Sequence, residues 1–567
     1  MPPSFSFTGK RWIVPDNCII ADAQTHPQQL LLALCHRRGI QLQKVEDVLP
    51  PFGELHDALR ATSRIYEALK KQEHIGIFGD YDCDGVTATA QLVRFLQRHG
   101  TQPFVRLPHR VHDGYGLKMR IIDECLAQDV NLLITVDTGI TAVEEIRHAQ
   151  QNGMDVIITD HHRLHEEVPP AYAIVHPALS STLRDPNPSG SAVVFHLLRA
   201  LEGDEWDGRD TDLCLAMLGT IADVMELRGH NRLLIQQGLT ALRTLAPSPL
   251  VQLIEQAGLK PATVTSRDIA FRIAPRINAA GRIDDPLIAL EALLLGGDAL
   301  ASLEELNERR QRLTESFFAE ALTLLGITPL TKKGIPHLLA IAHEEFPQGI
   351  LGLIAGKLTE MFGKPSLVAC VHGDTCTASL RSTPAYHITD GLMRHSDLLT
   401  YYGGHAQAAG CTFPLKNFPE LSRRLQKDIQ ERTTSDELTP SLTLDAVLPP
   451  SLLHLNLARA LENLEPFGAS NPEPLFCIRN IRMESLRCVG SDGAHLQCSI
   501  SGKKGIGFGL GHLTAQLQEP VDIACRIGIN EWNGRIEPQI FLEDIRRTEQ
   551  RNQKLGISNQ VSAKRGS

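Results

Sequence analysis

Asp80, Asp82 and Asp84 occupy alternate positions in the run FGDYDCDGVTATA, directly before a glycine and a helical stretch. Three carboxylates packed this closely repel one another unless a cation neutralises them. A solvated acidic turn capping the next helix fits the run equally well, because aspartate favours helix N-termini. Alone, the motif leaves both readings open. NLLITVD then puts Asp137 at a strand end, and DVIITDHH ends another strand on Asp160, His161 and His162. In an open parallel sheet the carboxyl ends of the strands face one crevice, so groups distant in the chain can converge there. Asp223, in the helical run LCLAMLGTIADVMEL, is a further carboxylate in apolar surroundings. A buried carboxylate needs a partner, and a metal is one.

This set offers five or six aspartates with at least one imidazole. Hard oxygen ligands with a minority of imidazole suit Mn²⁺ or Mg²⁺ better than a thiolate-rich zinc site. So many carboxylates exceed the need of one ion and fit a pair bridged by a shared aspartate. Paired ions about 3.5–4 Å apart clamp the attacking and leaving oxygens of phosphoryl displacement. A single histidine at a strand end is more often structural, but two in succession after an aspartate favour a ligand. The expected chemistry is a dinuclear phosphoesterase.

The elements around these residues have the required pattern. From His74 onward, short β-rich runs (HIGIFGD, PFVRLP, NLLITVD, DVIITD, YAIVHP) alternate with helical stretches at Val86–His99, Lys118–Gln128 and Ala142–Gln151. That alternation predicts βαβ units and a parallel sheet covered on both faces. Residues 1–70 read as a helical lead-in, with stretches at Gln28–Arg38 and Leu55–Lys70, and residues 190–325 as mostly helical. Ala301–Leu325 has no glycine or proline and predicts one long connecting helix. A second α/β unit follows, with HLLAIAHEEF, SLVACVHG and CTASLRS as strands. Beyond about Leu442 the chain is β-rich, with Asn533-Gly534 as a hairpin signal, and five or so strands suggest a small barrel of OB type.

The bulk properties set limits. A chain of 567 residues with 42% hydrophobic and 22% charged residues is globular rather than disordered or fibrous, and long enough for roughly three or four domains. No apolar run reaches the roughly 18 residues of a membrane span, and no secretory signal is evident in MPPSFSFTGKRW, so the expectation is a soluble, cytoplasmic protein with no membrane partner. Twelve cysteines without a CxxC pair fit buried thiols in a reducing compartment. The net charge of −10 argues weakly against a nucleic-acid partner. It is a whole-chain sum inflated by the acidic cluster, however, and the tail from Arg546 to Ser567 is basic. A solvated, disordered end is the simpler account of that tail.

DYDCDG, VDTG, TDHH and the later Asp223 together resemble the four motifs of the DHH phosphoesterase superfamily, and GRID with GGHAQAAG resembles its associated DHHA1 domain. Order and spacing match along residues 74–425. PHRVHDGYGL, APRINAAGRI and the β-rich end resemble the branch of bacterial single-stranded-DNA-specific 5′→3′ exonucleases. The resemblance implies an α/β fold: a DHH catalytic domain over 71–300, a connecting helix over 301–329 and a DHHA1 substrate-binding domain over 330–430. An OB-like β domain over 441–545 and a basic flexible tail over 546–567 would complete it.

The resemblance also implies roles. Asp80 and Asp82 would hold one divalent ion, Asp84, His161 and Asp223 a second, and Asp137 would bridge them. Asp160 would orient His161, and His162 would sit close to the scissile phosphate. Other branches carry a histidine four residues before the Asp82 position. Here that residue is Phe78, and in sequences of this branch an aspartate at the Asp80 position substitutes. Arg110, Asn278, Arg282, Ser379 and Arg381 would contact the terminal phosphate and strand, and His405 a phosphate near the metals. PHRVHDGYG could equally be a surface loop with ordinary solvated charges and GGHAQAAG a simple helix-start turn, and the resemblance favours the binding role for each segment.

In the β domain, Phe508, Trp532 and Phe541 with Lys503, Lys504, Arg526 and Arg535 could bind single strands without sequence preference, although aromatics of a small barrel are equally core. The expected function is metal-dependent 5′→3′ degradation of single-stranded DNA in recombination and repair, with a single-strand-binding protein and a helicase as partners. A channel between the two α/β units would admit only one strand. Two alternatives are a related phosphoesterase acting on short oligonucleotides or nucleotide phosphates, and a non-catalytic replication scaffold. The β domain counts against the first, and the complete ligand set against the second.

Overall fold

A computed structural model describes residues 5–42, 55–114, 116–180, 187–328, 331, 334–490, 492–532 and 534–548. The chain divides into two compact bodies: residues 35–439 with 463–473, and residues 1–34, 440–462 and 474–567.

The larger body begins with a five-stranded, wholly parallel sheet. Its strands are β1 (Ile75–Gly79), β2 (Phe104–Arg106), β3 (Leu132–Val136), β4 (Asp155–Thr159) and β5 (Ala173–Val175), in the order β2-β1-β3-β4-β5. β1 and β3 are buried along their whole length, which is why they read as unbroken apolar runs instead of alternating ones. The two-residue period still sorts their side chains. Ile75, Ile77, Leu132, Ile134 and Ile157 pack on one face, while Phe78, Leu133, Val156 and Ile158 pack on the other. Phe78 is fully buried in that second apolar core.

The helices of this body include α1 (Cys83–Arg98), α2 (Gly190–Glu202), α3 (Arg209–Ala222) and α4 (Ala274–Ile283). Helix α5 (Asp298–Leu324) has 27 residues, about 40 Å of helix. Its Leu300, Leu303 and Leu306 belong to the core that holds α3 and α4, and its Ala321 to the core of a second sheet. That sheet contains β6 (Leu339–His343), β7 (Ser366–His372), β8 (Thr375–Arg381), β9 (Tyr401–Gly404) and β10 (Ala408–Pro414), in the order β9-β10-β8-β7-β6. Only β6 and β7 run parallel. Helix α6 (Leu351–Phe362) covers one face, and the helix Phe418–Arg432 the other.

The short segment 463–473 belongs to the larger body, whereas the residues on either side of it in the chain belong to the smaller one. Buried Arg232 donates to the carbonyls of Glu465 (2.6 Å) and Pro466 (3.3 Å), and Ser266 Oγ to that of Phe467 (2.8 Å). Leu227 N–H donates to the Ala469 carbonyl at 2.9 Å.

The smaller body is an eight-stranded sheet. It differs from the helical lead-in expected for residues 1–70. Helices occur at Pro27–Arg38 and Ala58–Lys71, but Arg11–Ile13 is a strand paired with Ser441–Thr443, and Ile19–Ile20 pairs with Ala446–Val447. Trp12 Nε1 and Thr8 Oγ1 each donate at 2.7 Å to the buried carboxylate of Asp544. The long strands Val521–Trp532 and Arg535–Arg547 pair antiparallel up to Trp532 and Arg535. Asn533 of the expected hairpin turn, and residues 549–567 of the basic tail, lie outside the described residues. Among the described residues no helix is long and apolar enough to cross a membrane.

Candidate metal centre and phosphate site

Strand register does most of the positioning. Gly79 pairs with Val136, and Val136 with Thr159, so the next residue on each strand, Asp80, Asp137 and Asp160, emerges at one sheet edge. Asp82 caps α1, its Oδ1 accepting the N–H groups of Asp84 (3.0 Å) and Gly85 (3.1 Å). Asp223 arrives from a different direction, at the C-terminus of α3.

These elements bring the groups into two clusters that a third group, sharing Asp137 with one and His161 with the other, links. Ligand atoms of Asp80, Asp82 and Asp137 lie within 4.8 Å of one another, as do those of Asp84, His161 and Asp223, and those of Asp137, His161 and His162. His161 Nε2 stands 3.1 Å from Asp137 Oδ1, 3.6 Å from Asp223 Oδ2 and 3.8 Å from Asp84 Oδ2. Asp137 holds the left-handed conformation (φ 59°) and belongs to two of these three groups.

The electrostatics show what the arrangement suits. Burial, and next the charge of Asp82, pushes the Asp80 carboxyl up to about 8. Burial, and next Asp84, pushes Asp223 up to about 8 and Asp137 well above the carboxylate range. Burial pushes the His161 imidazole down. Asp137 Oδ1 is buried and accepts no hydrogen bond. Carboxylates this crowded hold their charge together only around a cation. An oxygen-rich donor set with one imidazole, plus a buried carboxylate oxygen without a donor, fits a hard divalent ion in each cluster. No thiol joins either group.

Supports that are not evident in the motifs complete the centre. Both Asp84 oxygens accept backbone N–H groups at the start of α2, from Gly190 (2.6 Å) and Ser191 (3.0 Å). A Cβ on Gly190 would overlap Asp137 Oδ1, and one on Gly219 would overlap Asp84 Oδ1. The only sequence signals are small residues, SGSA at the start of α2 and LGT within α3.

The arrangement corrects one expectation. The ring held by Asp160 is that of His162, whose Nδ1 lies 2.8 Å from Asp160 Oδ1; His161 gives that carboxylate only its backbone N–H, at 2.7 Å. The reason is that His161's ring turns to the carboxylate cluster. Burial alone would raise Asp160, but the His162 hydrogen bond brings it down to about 2, and against its own burial His162 is held up at about 9. His176, absent from the motifs, approaches the His162 carbonyl through Nε2 at 2.8 Å, while its Nδ1 accepts Ala178 N–H.

Beside this centre three guanidinium groups meet. Arg110 lies 4.1 Å over the ring of Tyr81 and donates to the Gly281 carbonyl. Arg282 donates to the Gly349 carbonyl and Arg381 to that of Leu380. Burial, then the charges of Arg110 and Arg381, lowers Arg282 to about 9; burial and then Arg110 lowers Arg381. Arg110 is also close enough to Asp80 to favour its ionised form. Among the described residues none of the three forms an ion pair with a carboxylate, so the cluster is built for an anion from outside the chain.

Ser379 lies two residues before Arg381 on β8 and so faces the same way. Asn278 Oδ1 accepts Cys83 N–H at 2.9 Å and so braces the start of α1. His405 sits on the exposed turn between β9 and β10, where its carbonyl accepts Thr389 Oγ1. Among the described contacts its ring meets none of these groups.

The β domain candidates are scattered in character. Phe508 is 65% exposed, edge-on to His495, whereas Phe541 packs against Gly528. Arg526 is matched by Glu543 and Lys504 by Glu537. The Trp532 side chain lies outside the described residues.

Family models described as the DHH family N-terminal domain, the DHHA1 domain and the RecJ OB domain match residues 74–221, 334–431 and 444–544. The single-stranded-DNA-specific exonuclease RecJ of Bacillus subtilis is 32% identical over 544 residues, covering 92% of this chain and 68% of that protein. The protein of the same name from Escherichia coli is 32% identical over 568 residues, covering 93% and 97%. The crystal structure of RecJ in complex with Mn²⁺ from Thermus thermophilus superposes with a TM-score of 0.80 at 32% identity, covering 95% of this chain and 80% of that one.

Proposed function

The chain belongs to the RecJ family of single-stranded-DNA-specific exonucleases, and from that membership we propose that it degrades single-stranded DNA from the 5′ end, releasing 5′-mononucleotides in recombination and repair. The observation that carries this reading is the adjacency of two oxygen-rich clusters to three guanidinium groups without carboxylate partners. The clusters suit a scissile phosphodiester. The arginines suit the phosphate at a chain end, which an exonuclease must recognise.

Asp80 and Asp82 would hold one divalent ion, Asp84, His161 and Asp223 the other, and Asp137 both. Mn²⁺ or Mg²⁺ at these positions supplies positive charge for the phosphoryl oxygens and acidifies the attacking water. The remaining work is positional. Asp160 fixes the His162 ring through Nδ1, so its other nitrogen can face the scissile phosphate. Arg110, Arg282, Ser379 and Arg381 hold the terminal phosphate and set the distance to the bond that breaks. Asn278 acts on the strand while bracing motif Asp80–Asp84, and His405 completes the phosphate contacts on substrate binding.

Catalysis on this reading occupies residues 71–300, with 301–329 as connecting helix, 330–430 as substrate-binding domain and 441–545 as single-strand-binding domain. The basic tail, 546–567, adds non-specific affinity. The work is cytoplasmic, where chromosomal DNA is unwound. A helicase that supplies single strands and a single-strand-binding protein that covers them are the partners it calls for.

The test is digestion of a long single strand labelled at either end, with Mn²⁺ and with chelator. Early metal-dependent release of a 5′-labelled mononucleotide, with duplex spared, is the expected result. Release from the 3′ end would overturn the polarity, and cleavage of short oligomers alone would overturn the substrate.

A further inference from the structure

Helix α3 ends in a hydrogen-bond pattern suited to glycine. Val224 N–H bonds the Ile221 carbonyl at 3.2 Å, and Met225 N–H bonds the Thr220 carbonyl at 3.3 Å. These are the paired bonds of a Schellman motif, which requires a left-handed residue just past the cap. Val224 takes that conformation with φ 57°. At the end of α6 a glycine, Gly363, has the left-handed role. Among the described residues the other non-glycine positions with positive φ are Asp, Asn, Gln or Ser, and Val224 is the one β-branched side chain. A β-branched residue there is a genuine outlier, and such strain persists only where its surroundings over-determine it. Three residues on, Leu227 is buried, its N–H is bonded to Ala469, and a Cβ on Gly468 would stand 2.6 Å from its side chain.

The strained residue gains little packing in return, for Val224 is 71% exposed. Its position in the chain is specific. It follows Asp223, whose side chain is 33% exposed while those of Asp84 and Asp137 are buried. A bulky aliphatic group therefore stands uncovered beside the ligand through which the cluster opens to solvent. Such a group offers a phosphate nothing. What it can meet on a nucleotide is the carbon skeleton of the sugar or the face of a base.

We propose that Val224 is a substrate-contacting residue whose isopropyl group packs against the sugar or base of the nucleotide being cleaved. This rests on the nuclease reading above and names a contact that reading does not require. Backbone strain at Val224 is the cost of presenting the branched group at that point.

Val224→Gly and Val224→Asn both tolerate the left-handed backbone and remove the branched group. Val224→Asn is expected to raise the thermal midpoint, and both variants to leave Mn²⁺ affinity unchanged. Both should raise KM for a single-stranded oligonucleotide about five- to tenfold, with kcat within about twofold. The Kd for the same strand without divalent ions should weaken by the same factor. Unchanged KM and Kd in both variants would overturn the proposal. So would reduced Mn²⁺ affinity in both, which would make Val224 a prop for Asp223. A wild-type protein that binds the strand and cleaves nothing would sink the nuclease reading, while the binding comparison still decides this one.

Discussion

Gly190 approaches Asp137 so closely that a methyl group on its α-carbon would overlap the Oδ1 atom. The same residue gives its N–H to Asp84 at 2.6 Å. One small residue thus touches the central carboxylate of the site and hydrogen-bonds another. Gly190→Ala should displace Asp137, cost about 1–3 kcal/mol of stability through overpacking, and lower Mn²⁺ affinity by at least about tenfold. Calorimetric Mn²⁺ titration alongside thermal unfolding would check this; wild-type affinity would show that the contact is slack.

Asp137 belongs to the cluster of Asp80 and Asp82 and to the linking group with His161 and His162, so the loss of a ligand that bridges two ions should harm both. Asp137→Ala is expected to reduce cleavage by more than about a thousandfold while single strands still bind. Near-normal turnover in a steady-state assay would refute the bridging role.

The ion-free centre should make stability depend on pH in an unusual direction. Asp80 and Asp223 are raised from 3.8 to about 8, so between those values the folded chain binds more protons than the unfolded one. Stability from this source is present below about pH 4 and is lost as pH rises through about 8. Divalent ions displace those protons. The rise in thermal midpoint on adding Mn²⁺ should therefore grow between about pH 6 and pH 8, and an increment constant across that range would count against the assignment.

Arg282 meets two other guanidinium groups and, among the described residues, pairs with no carboxylate. Arg282→Ala should weaken binding of a 5′-phosphorylated strand by about ten- to a hundredfold, as expected for a lost charge-assisted hydrogen bond of about 1.5–3 kcal/mol. A 5′-hydroxyl strand should be affected much less. Fluorescence anisotropy on the two strands separates these cases, and equal losses would place Arg282 elsewhere on the DNA path.

Asp160→Asn keeps the shape of the side chain but removes the charge that holds His162. It should lower kcat about ten- to a hundredfold with KM little changed, and an unchanged kcat would mean that the orientation of the His162 ring is immaterial.

The strand ends could be read from the sequence because each fully buried strand is an apolar run that stops at an aspartate. IGIFGD, LLITVD and VIITD needed no tertiary information to place Asp80, Asp137 and Asp160. The start of α1 was harder. Propensity put it at Val86, whereas the Asp82 side chain caps it at Cys83, so the metal motif is itself part of the helix start. Which neighbouring histidine Asp160 would hold was not decidable from two adjacent rings. The Gly190–Ser191 cradle, His176 and the stacking of Arg110 on Tyr81 depend on contacts between distant segments, for which no local pattern exists. The strand pairing of Arg11–Ile13 with Ser441–Thr443 spans over four hundred residues and was hidden for the same reason.

The strap at 463–473 has a consequence for dissecting the molecule. Chain order puts it beyond residue 440, among the strands of the β domain, yet its Ala469 carbonyl holds Leu227, four residues after Asp223. A truncation at residue 440 would remove the β domain proposed to bind single strands and unfasten the turn that carries Asp223 in one cut. Loss of activity in that fragment would not report on DNA capture. A protein ending after Glu473 keeps the fastening, and its difference from the shorter fragment reports on residues 441–473 together, the strap and the pairing of Ser441–Thr443 with Arg11–Ile13 included.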